Sequence, residues 1–340
     1  MKNKLFLVSL VCFVLVLSSC NNNGNTNSNG NNGNIGSNTP TNNSEANNIA
    51  TPLKIGDKVT FTADGVSFKM AYIPGGLSFP IKDNDSGTST VANAYWIGET
   101  ELTYELWYKV RVWAMSNGYN FAYAGNESAA SQEGAAPTAA KDNPVQRINW
   151  RDIMIFTNAL TEWYNATAKT NYTCAYYADA AYTTPLRTAT TSFTITNTTL
   201  GSQDAPYIKT DASGFRLLTN DEWELAARYK DGTNWTPGSY ASGASADYNN
   251  EAATEAVAWY NTNASNDVHA VKSKLPNALG LYDMSGNVGE WTINSTDSYR
   301  VWRGGGWVDR ALIMQLSLQV SSNPAYTSPS TGFRLARTAL

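Results

Sequence analysis

Fifteen residues, Asn277 to Trp291, constrain this chain more than any others: N-A-L-G-L-Y-D-M-S-G-N-V-G-E-W, with glycine at 280, 286 and 289. Glycine gives up the most backbone freedom on folding, so three so close together do not suit a helix interior or an ordinary strand. The stretch reads as a tightly turned loop system held by backbone contacts. Two later blocks belong with it. Arg303 to Trp307 is R-G-G-G-W, and Gly332 to Arg337 is G-F-R-L-A-R, whose alternation suits a closing strand. The upstream chain then reads as scaffold for what lies between Trp307 and Gly332.

The chain opens with an export signal over residues 1–19. Lys2 and Lys4 precede an apolar run from Leu5 to Leu17, broken only by Ser9 and too short to span a bilayer comfortably. It ends Leu17-Ser18-Ser19-Cys20, which resembles the bacterial lipoprotein processing box. That resemblance implies cleavage before Cys20, lipid on its sulfur, and a membrane partner through the anchor. Residues 21–50 hold fourteen Asn and one charge, Glu45. Such a composition cannot bury a core, so residues 20–50 read as a lipidated Asn-rich tether reaching about 30 Å. Bacterial outer membrane or cell surface is the expected location.

Residues 51–340 contain no second linker of this kind and read as one domain. Without the two signal lysines the balance is 22 basic against 28 acidic residues, which argues against a nucleic-acid partner. Beyond Cys20 only Cys174 is left, so no internal disulfide is available, and Cys174 reads as a structural thiol. Strands are expected at Lys58 to Thr62, Val66 to Ile73 and Tyr95 to Glu99. A helix capped by Thr103 should run to about Asn117. A second starts near Asn149 with Asp152 at its third position. Thr219-Asn220-Asp221-Glu222 is a capping box before a short helix over Trp223 to Tyr229. Residues 119–145 and 230–275 read as loop, and 165–212 as Thr-rich, β-leaning segments.

Gly214-Phe215-Arg216-Leu217-Leu218-Thr219, with Glu222-Trp223-Glu224 and Ala226-Ala227-Arg228, resembles the signature of the formylglycine-generating-enzyme family. Ile73-Pro74-Gly75-Gly76 matches its opening, and the three C-terminal blocks match its later motifs in order. The resemblance covers about residues 66–337. It implies an α+β domain, the loop-rich formylglycine-generating-enzyme subtype of the C-type lectin fold, with few helices and short antiparallel strands.

The family's catalysts carry a cysteine pair shortly after the R-G-G block, where this chain has Asp309 and Met314. Neither supplies a thiolate, and iron-dependent relatives need several histidines where this chain has only His269. The expectation is therefore a non-enzyme with no redox cofactor, and His269 reads as a loop residue. A second branch fits better: the variable proteins of diversity-generating retroelements, including lipoproteins of Treponema. That resemblance implies a variable region over about 300–337 that binds changing ligands, proteins or other surface molecules. Adenine-directed copying of AAC codons cannot yield Trp, Met, Gln, Lys or Glu. The positions that match are Val308, Asp309, Arg310, Leu312, Ile313, Leu318, Val320, Ser321, Ser322, Tyr326, Ser328 and Ser330. The Ser-, Asn- and Tyr-containing run after Val320 is also the adaptable chemistry of paratopes. A core strand over 311–318 followed by an ordinary loop is the plainer alternative, and Leu316 reads as buried either way. Trp302 and Trp307 can line the site or stand as core pillars.

Related enzymes use the positions of Asp283, Gly286, Val288 and Glu290 for structural calcium, so the resemblance implies such a site here. The residues themselves equally allow Asp283 and Glu290 to serve turn N–H groups. The functional expectation is a surface-displayed, diversified ligand-binding lipoprotein. The alternatives are a structural envelope lipoprotein and a metal-assisted enzyme of altered chemistry.

Overall fold

The computed structural model describes residues 52–194, 198–296 and 298–339, so the signal, the tether and Cys20 lie outside the described residues. Strands β1 (Lys58–Ala63) and β2 (Val66–Ile73) form a hairpin whose inward residues, Phe61, Ala63, Met70 and Ile73, are apolar. After the turn at 74–76, β3 (Leu77–Ile81) and β4 (Gly87–Val91) form a second hairpin. The sequence hides it, because Pro80 interrupts the Leu77-Phe79-Ile81 alternation of β3 and β4 is the small, polar Gly-Thr-Ser-Thr-Val. Strand β5 (Tyr95–Gly98) leads to α1 (Tyr104–Met115) and α2 (Trp150–Ala168).

Both helices start where their local chemistry predicts. Thr103 occupies the N-cap of α1 in extended geometry, but its side chain makes no capping bond, and the helix stops at Met115. The first N–H groups are served from elsewhere: Tyr104 N donates to Asn143 O at 2.8 Å and Glu105 N to Lys141 O at 3.0 Å. Asn149 and Asp152 close a full capping box on α2. Residues 165–168 of the stretch expected to lean β belong instead to α2, and among its described residues the rest yields only two-residue strands, β6 (Tyr176–Tyr177) and β7 (Tyr207–Ile208). Its threonines lack the alternating apolar partners that would commit them to a sheet.

Strand β8 (Phe215–Leu217) and the box-capped α3 (Asn220–Arg228) carry the family-like signature. One turn of helix, α4 (Glu251–Glu255), interrupts the long loop that follows. The glycine-dense stretch is indeed turned over 277–288, but its last residues enter strand β9 (Gly289–Thr296), paired with β10 (Tyr299–Arg303). Gly289 is required by contact: a Cβ there would lie 2.5 Å from the Trp302 ring. Strands β11 (Val320–Ser322), β12 (Thr331–Gly332) and β13 (Leu335–Thr338) finish the chain.

Among the described residues the two larger sheets are ordered β1-β2-β5-β13-β8 and β11-β10-β9-β12, with β3-β4 and β6-β7 as two-stranded pairs beside them, in an α+β arrangement of short, mostly antiparallel strands. The closing strand β13 sits inside the first sheet, with Ala336 opposite both Ile97 and Arg216. Its neighbour Phe333 is fully buried edge-on to Trp107 and Phe156, whose rings stack at 4.6 Å. Arg151 and Asp204 form a buried ion pair at 2.6 Å that ties α2 to the loop before β7.

The buried Asp152 carboxylate accepts from Ala122 N at 2.7 Å, Tyr123 N at 3.2 Å and Asn149 N at 3.4 Å. Burial pushes its pKa up to about 7, against the lowering effect of those backbone N–H groups. The unfolded chain releases this proton near pH 4 while the folded chain keeps it to about pH 7. Stability from this group is therefore fully present at low pH and lost as pH rises through that window. Urea denaturation from pH 4 to 7.5 should show that loss, and Asp152→Asn should reduce its slope. Asp283, whose carboxyl burial pushes up to about 6, contributes with the same sign, so some slope should persist. An unchanged slope in the variant would contradict the assignment.

Candidate ligand-binding face and its buried frame

The signature helix α3 holds the three C-terminal blocks. Trp223 Nε1 donates to Glu290 Oε2 at 2.8 Å, reaching the glycine-dense block. Glu290 in turn receives Arg334 of the closing block at 2.7 Å, and both side chains are buried. The same guanidinium donates to Gly98 O at 2.9 Å and Tyr282 O at 2.6 Å. Glu224 pairs with Arg303 of the R-G-G-G-W block at 2.6 Å and with Arg228 at 2.7 Å, and Arg228 continues to Asp85 at 2.6 Å. Arg303 also lies over the Trp223 ring at 5.0 Å and donates to Leu316 O at 2.7 Å. Buried charges this close are tolerated because each faces an opposite charge, while Arg303 Nε and Nη1 are buried without an acceptor.

From this frame the chain leaves through Gly304 and Gly305, both at positive φ (84° and 69°), a conformation that favours glycine. No strand forms over 311–318. Ala311–Met314 is a single 3₁₀ turn, with Met314 and Leu316 fully buried. The return is pinned by Arg147 N donating to Ser328 O at 3.0 Å and Trp150 N to Pro324 O at 3.1 Å.

The twelve sequence-selected positions fall into three groups. Val308 (43% exposed), Arg310, Leu312 (47%), Ser321 and Tyr326 (36%) face outward. Asp309, Ile313, Leu318, Val320 and Ser322 are half-buried. Of these, Ile313 and Val320 pack against the core, and Asp309 closes a turn by accepting from Gly306 N at 2.9 Å. Ser328 and Ser330 are buried and hydrogen-bonded to each other at 3.0 Å, so they brace the return loop instead of facing solvent. Composition could not separate them from Ser321, because serine serves turns and surfaces alike.

Trp302 and Trp307 are core pillars. Trp302 packs on Gly289 and donates to Ser322 Oγ at 3.3 Å. Trp307 donates to Pro329 O at 2.7 Å and packs with Val288, Ala264 and Val268. The residues sequence reasoning missed lie in the loop before the glycine-dense block. Asn261 N donates to Asp309 O at 3.0 Å, and Tyr260 and Ala258 pack with Met314. Nothing in their local pattern signals that contact.

At the positions where family catalysts have cysteines, Met314 is enclosed and Asp309 serves its turn. Cys174 is buried, with burial pushing its thiol up to about 12. His269 is a loop residue stacked on Trp259 at 3.7 Å. Among the described residues no three His, Cys, Asp or Glu side chains group as metal ligands. For the calcium positions, Asp283 fits a hard cation: its Oδ1 is buried with no hydrogen-bond partner, while Oδ2 accepts from Lys272 N at 2.9 Å. Glu290 would have to share its carboxylate with Arg334 and Trp223.

The sulfatase-modifying factor enzyme 1-like domain, the formylglycine-generating-enzyme family, matches residues 62–339, and the chain belongs to that family. Among solved structures it is similar to Treponema denticola variable protein 1, with 29% identity, a TM-score of 0.62, and 85% of this chain and all of that one covered. It is also similar to CarF, at 26% identity and a TM-score of 0.58 over 84% of this chain and 99% of the other. A curated relative is the chaperone protein LppX of Paenibacillus barcinonensis, 25% identical over 80% of this chain and 90% of its own length. Fold and family thus agree with the motif reading.

Breaking the buried pair should be costly. Glu290→Gln leaves the Arg334 guanidinium enclosed without a counter-charge, an expected loss of about 3–5 kcal/mol in urea denaturation. Replacing both Glu290 and Arg334 with apolar residues should cost less than the single change. A loss below about 1 kcal/mol for Glu290→Gln would contradict the frame.

Proposed function

We propose that this protein is a lipid-anchored, non-catalytic ligand-binding protein whose C-terminal segment, about 300–337, is diversified by a retroelement. The carrying observation is the division of that segment. Val308, Arg310, Leu312, Ser321 and Tyr326 face solvent, while Trp307, Met314, Leu316 and Phe333 between and beside them are enclosed. Similarity to a protein named as variable supports the reading. So does the replacement of the catalytic cysteines by Asp309 and Met314. The lipoprotein-like Cys20 and the Asn-rich tether would hold the face away from a bacterial outer membrane or cell surface. Proteins and other surface molecules are the ligands such a face would meet.

Population sequencing of the coding region for residues 300–337, with its flanking DNA, tests this. Substitutions should fall on template-adenine codons, concentrate at the five exposed positions and spare Trp307, Leu316 and Phe333. A nearby invariant repeat and a reverse transcriptase gene should accompany them. A single fixed sequence without a repeat would contradict diversification. It would favour the second reading, suggested by the chaperone-named relative, of a lipoprotein with one constant client-binding surface.

Calcium bracing of the 283–290 turns belongs to the same proposal. Asp283 Oδ1 would be one ligand, with Glu290 and the Gly286 and Val288 carbonyls completing an oxygen set. Calcium at about 100 times its Kd should add about 2.7 kcal/mol, raising Tm by several degrees over an EGTA control. Asp283→Asn should abolish the shift. Equal melting temperatures with calcium and with EGTA would remove calcium from the account.

A further inference from the structure

Arg310 and Leu312 overlook an open depression of about 330 Å³ whose other side comes from outside the C-terminal segment. Tyr248, Asn249 and Glu251, at the start of α4, form much of that side, and Thr262 completes it. This side is built firmly. Asn250 caps α4 by accepting from Ala253 N at 3.0 Å, and Tyr260 N donates to Asn263 Oδ1 at 2.9 Å. Ala241, Ala244, Val257, Ala258 and Tyr260 surround Met314, with Ala311 and Ile313 packed on the same small core. The bond from Asn261 N to Asp309 O then fixes the two walls in register.

The depression offers a phenol, an amide, a carboxylate and a guanidinium around an exposed leucine. Among the described residues no ion pair engages Glu251 or Arg310, so both charges are available to a partner. Tyrosine and arginine are enriched in protein interfaces, Glu251 and Arg310 offer opposite charges to a complementary protein surface, and rigid tyrosines with adaptable amides serve paratopes. The pre-organised loop also lowers the ordering cost that binding imposes.

We propose that the 248–262 loop is a constant wall of the binding surface. The occupant is a protruding turn of a protein partner, held between Tyr248, Asn249 and Glu251 on the constant side and Arg310 and Leu312 on the diversified side. This rests on the ligand-binding reading above and adds that part of the specificity lies outside the diversified segment. Any set of changes at 308–312 would then be read against the same Tyr, Asn and Glu.

The test uses the whole folded chain, displayed with Val308, Arg310 and Leu312 randomised and selected against purified hen egg-white lysozyme as the probe. Glu251→Ala, Asn249→Ala and Tyr248→Ser are then placed in each selected clone, with the exposed Lys169→Ala as control. The first two positions are exposed, so their replacement leaves the fold intact. In most clones at least one wall substitution should weaken Kd about tenfold, equivalent to about 1.4 kcal/mol, with the control unchanged. Clones that bind equally well with all three substitutions would overturn the constant wall while sustaining a ligand-binding segment. A library that yields no binders would instead overturn the ligand-binding reading for proteins. If the unmodified chain then bound a glycan array in a Tyr248→Ser-sensitive way, the occupant would be a glycan and the protein assignment would fall.

Discussion

The buried Glu290–Arg334 pair is the interaction on which the rest of the structure depends. It joins the first residues of β9 to the residue just before β13, and Trp223 fastens α3 to the same carboxylate. A second chain of charges, Asp85–Arg228–Glu224–Arg303, repeats the arrangement beside it. Four segments far apart in sequence thus meet through side-chain charge rather than through a long sheet ladder. That suits a domain whose strands are short and whose connections are long. Ion pairs of this kind add little net stability over apolar packing of equal shape, but they penalise any arrangement that leaves one partner alone. Specifying one path for long loops is the role such a penalty can fill.

The frame explains how an exposed segment can differ in chemistry from its surroundings without endangering the fold. Between Trp307 and Gly332 the chain is anchored at Met314, Leu316, Pro324, Ser328 and Ser330. The outward residues hang between those anchors and contribute little to the core. Rigid scaffolds carrying variable loops are a general solution for binding, since the backbone cost is met once by the scaffold. Here the scaffold includes the 241–264 loop, which shares a small core with the segment it flanks.

Much of this was legible in the sequence. The capping boxes at Asn149–Asp152 and Thr219–Glu222 are local chemistry and form as expected. Strand β2 has the expected bounds, and the C-terminal blocks announced their own density of glycine and arginine. What was not legible depends on contacts made at long range. Ser328 and Ser330 look like surface serines until the return loop folds over α2. Trp302 and Trp307 are pillars because Gly289 and Pro329 come to meet them. The 77–91 hairpin is masked by Pro80 within β3 and by the small polar residues of β4. Among the described residues, the β-leaning threonines of 165–212 have the composition but enter no strand, Thr188 making only an isolated bridge to Asn120.

In this structure the energetic separation of the outward residues from the frame is what lets the face vary. It is tested most directly by the melting temperature of one variant carrying simultaneous substitutions at Val308, Arg310, Leu312, Ser321 and Tyr326. Each surface change is worth at most about 0.5 kcal/mol, so the Tm should stay within about 5 °C of the unmodified protein, with an unchanged denaturant slope. A fall of more than about 15 °C, or loss of cooperative unfolding, would show that the face is part of the frame and would contradict the account.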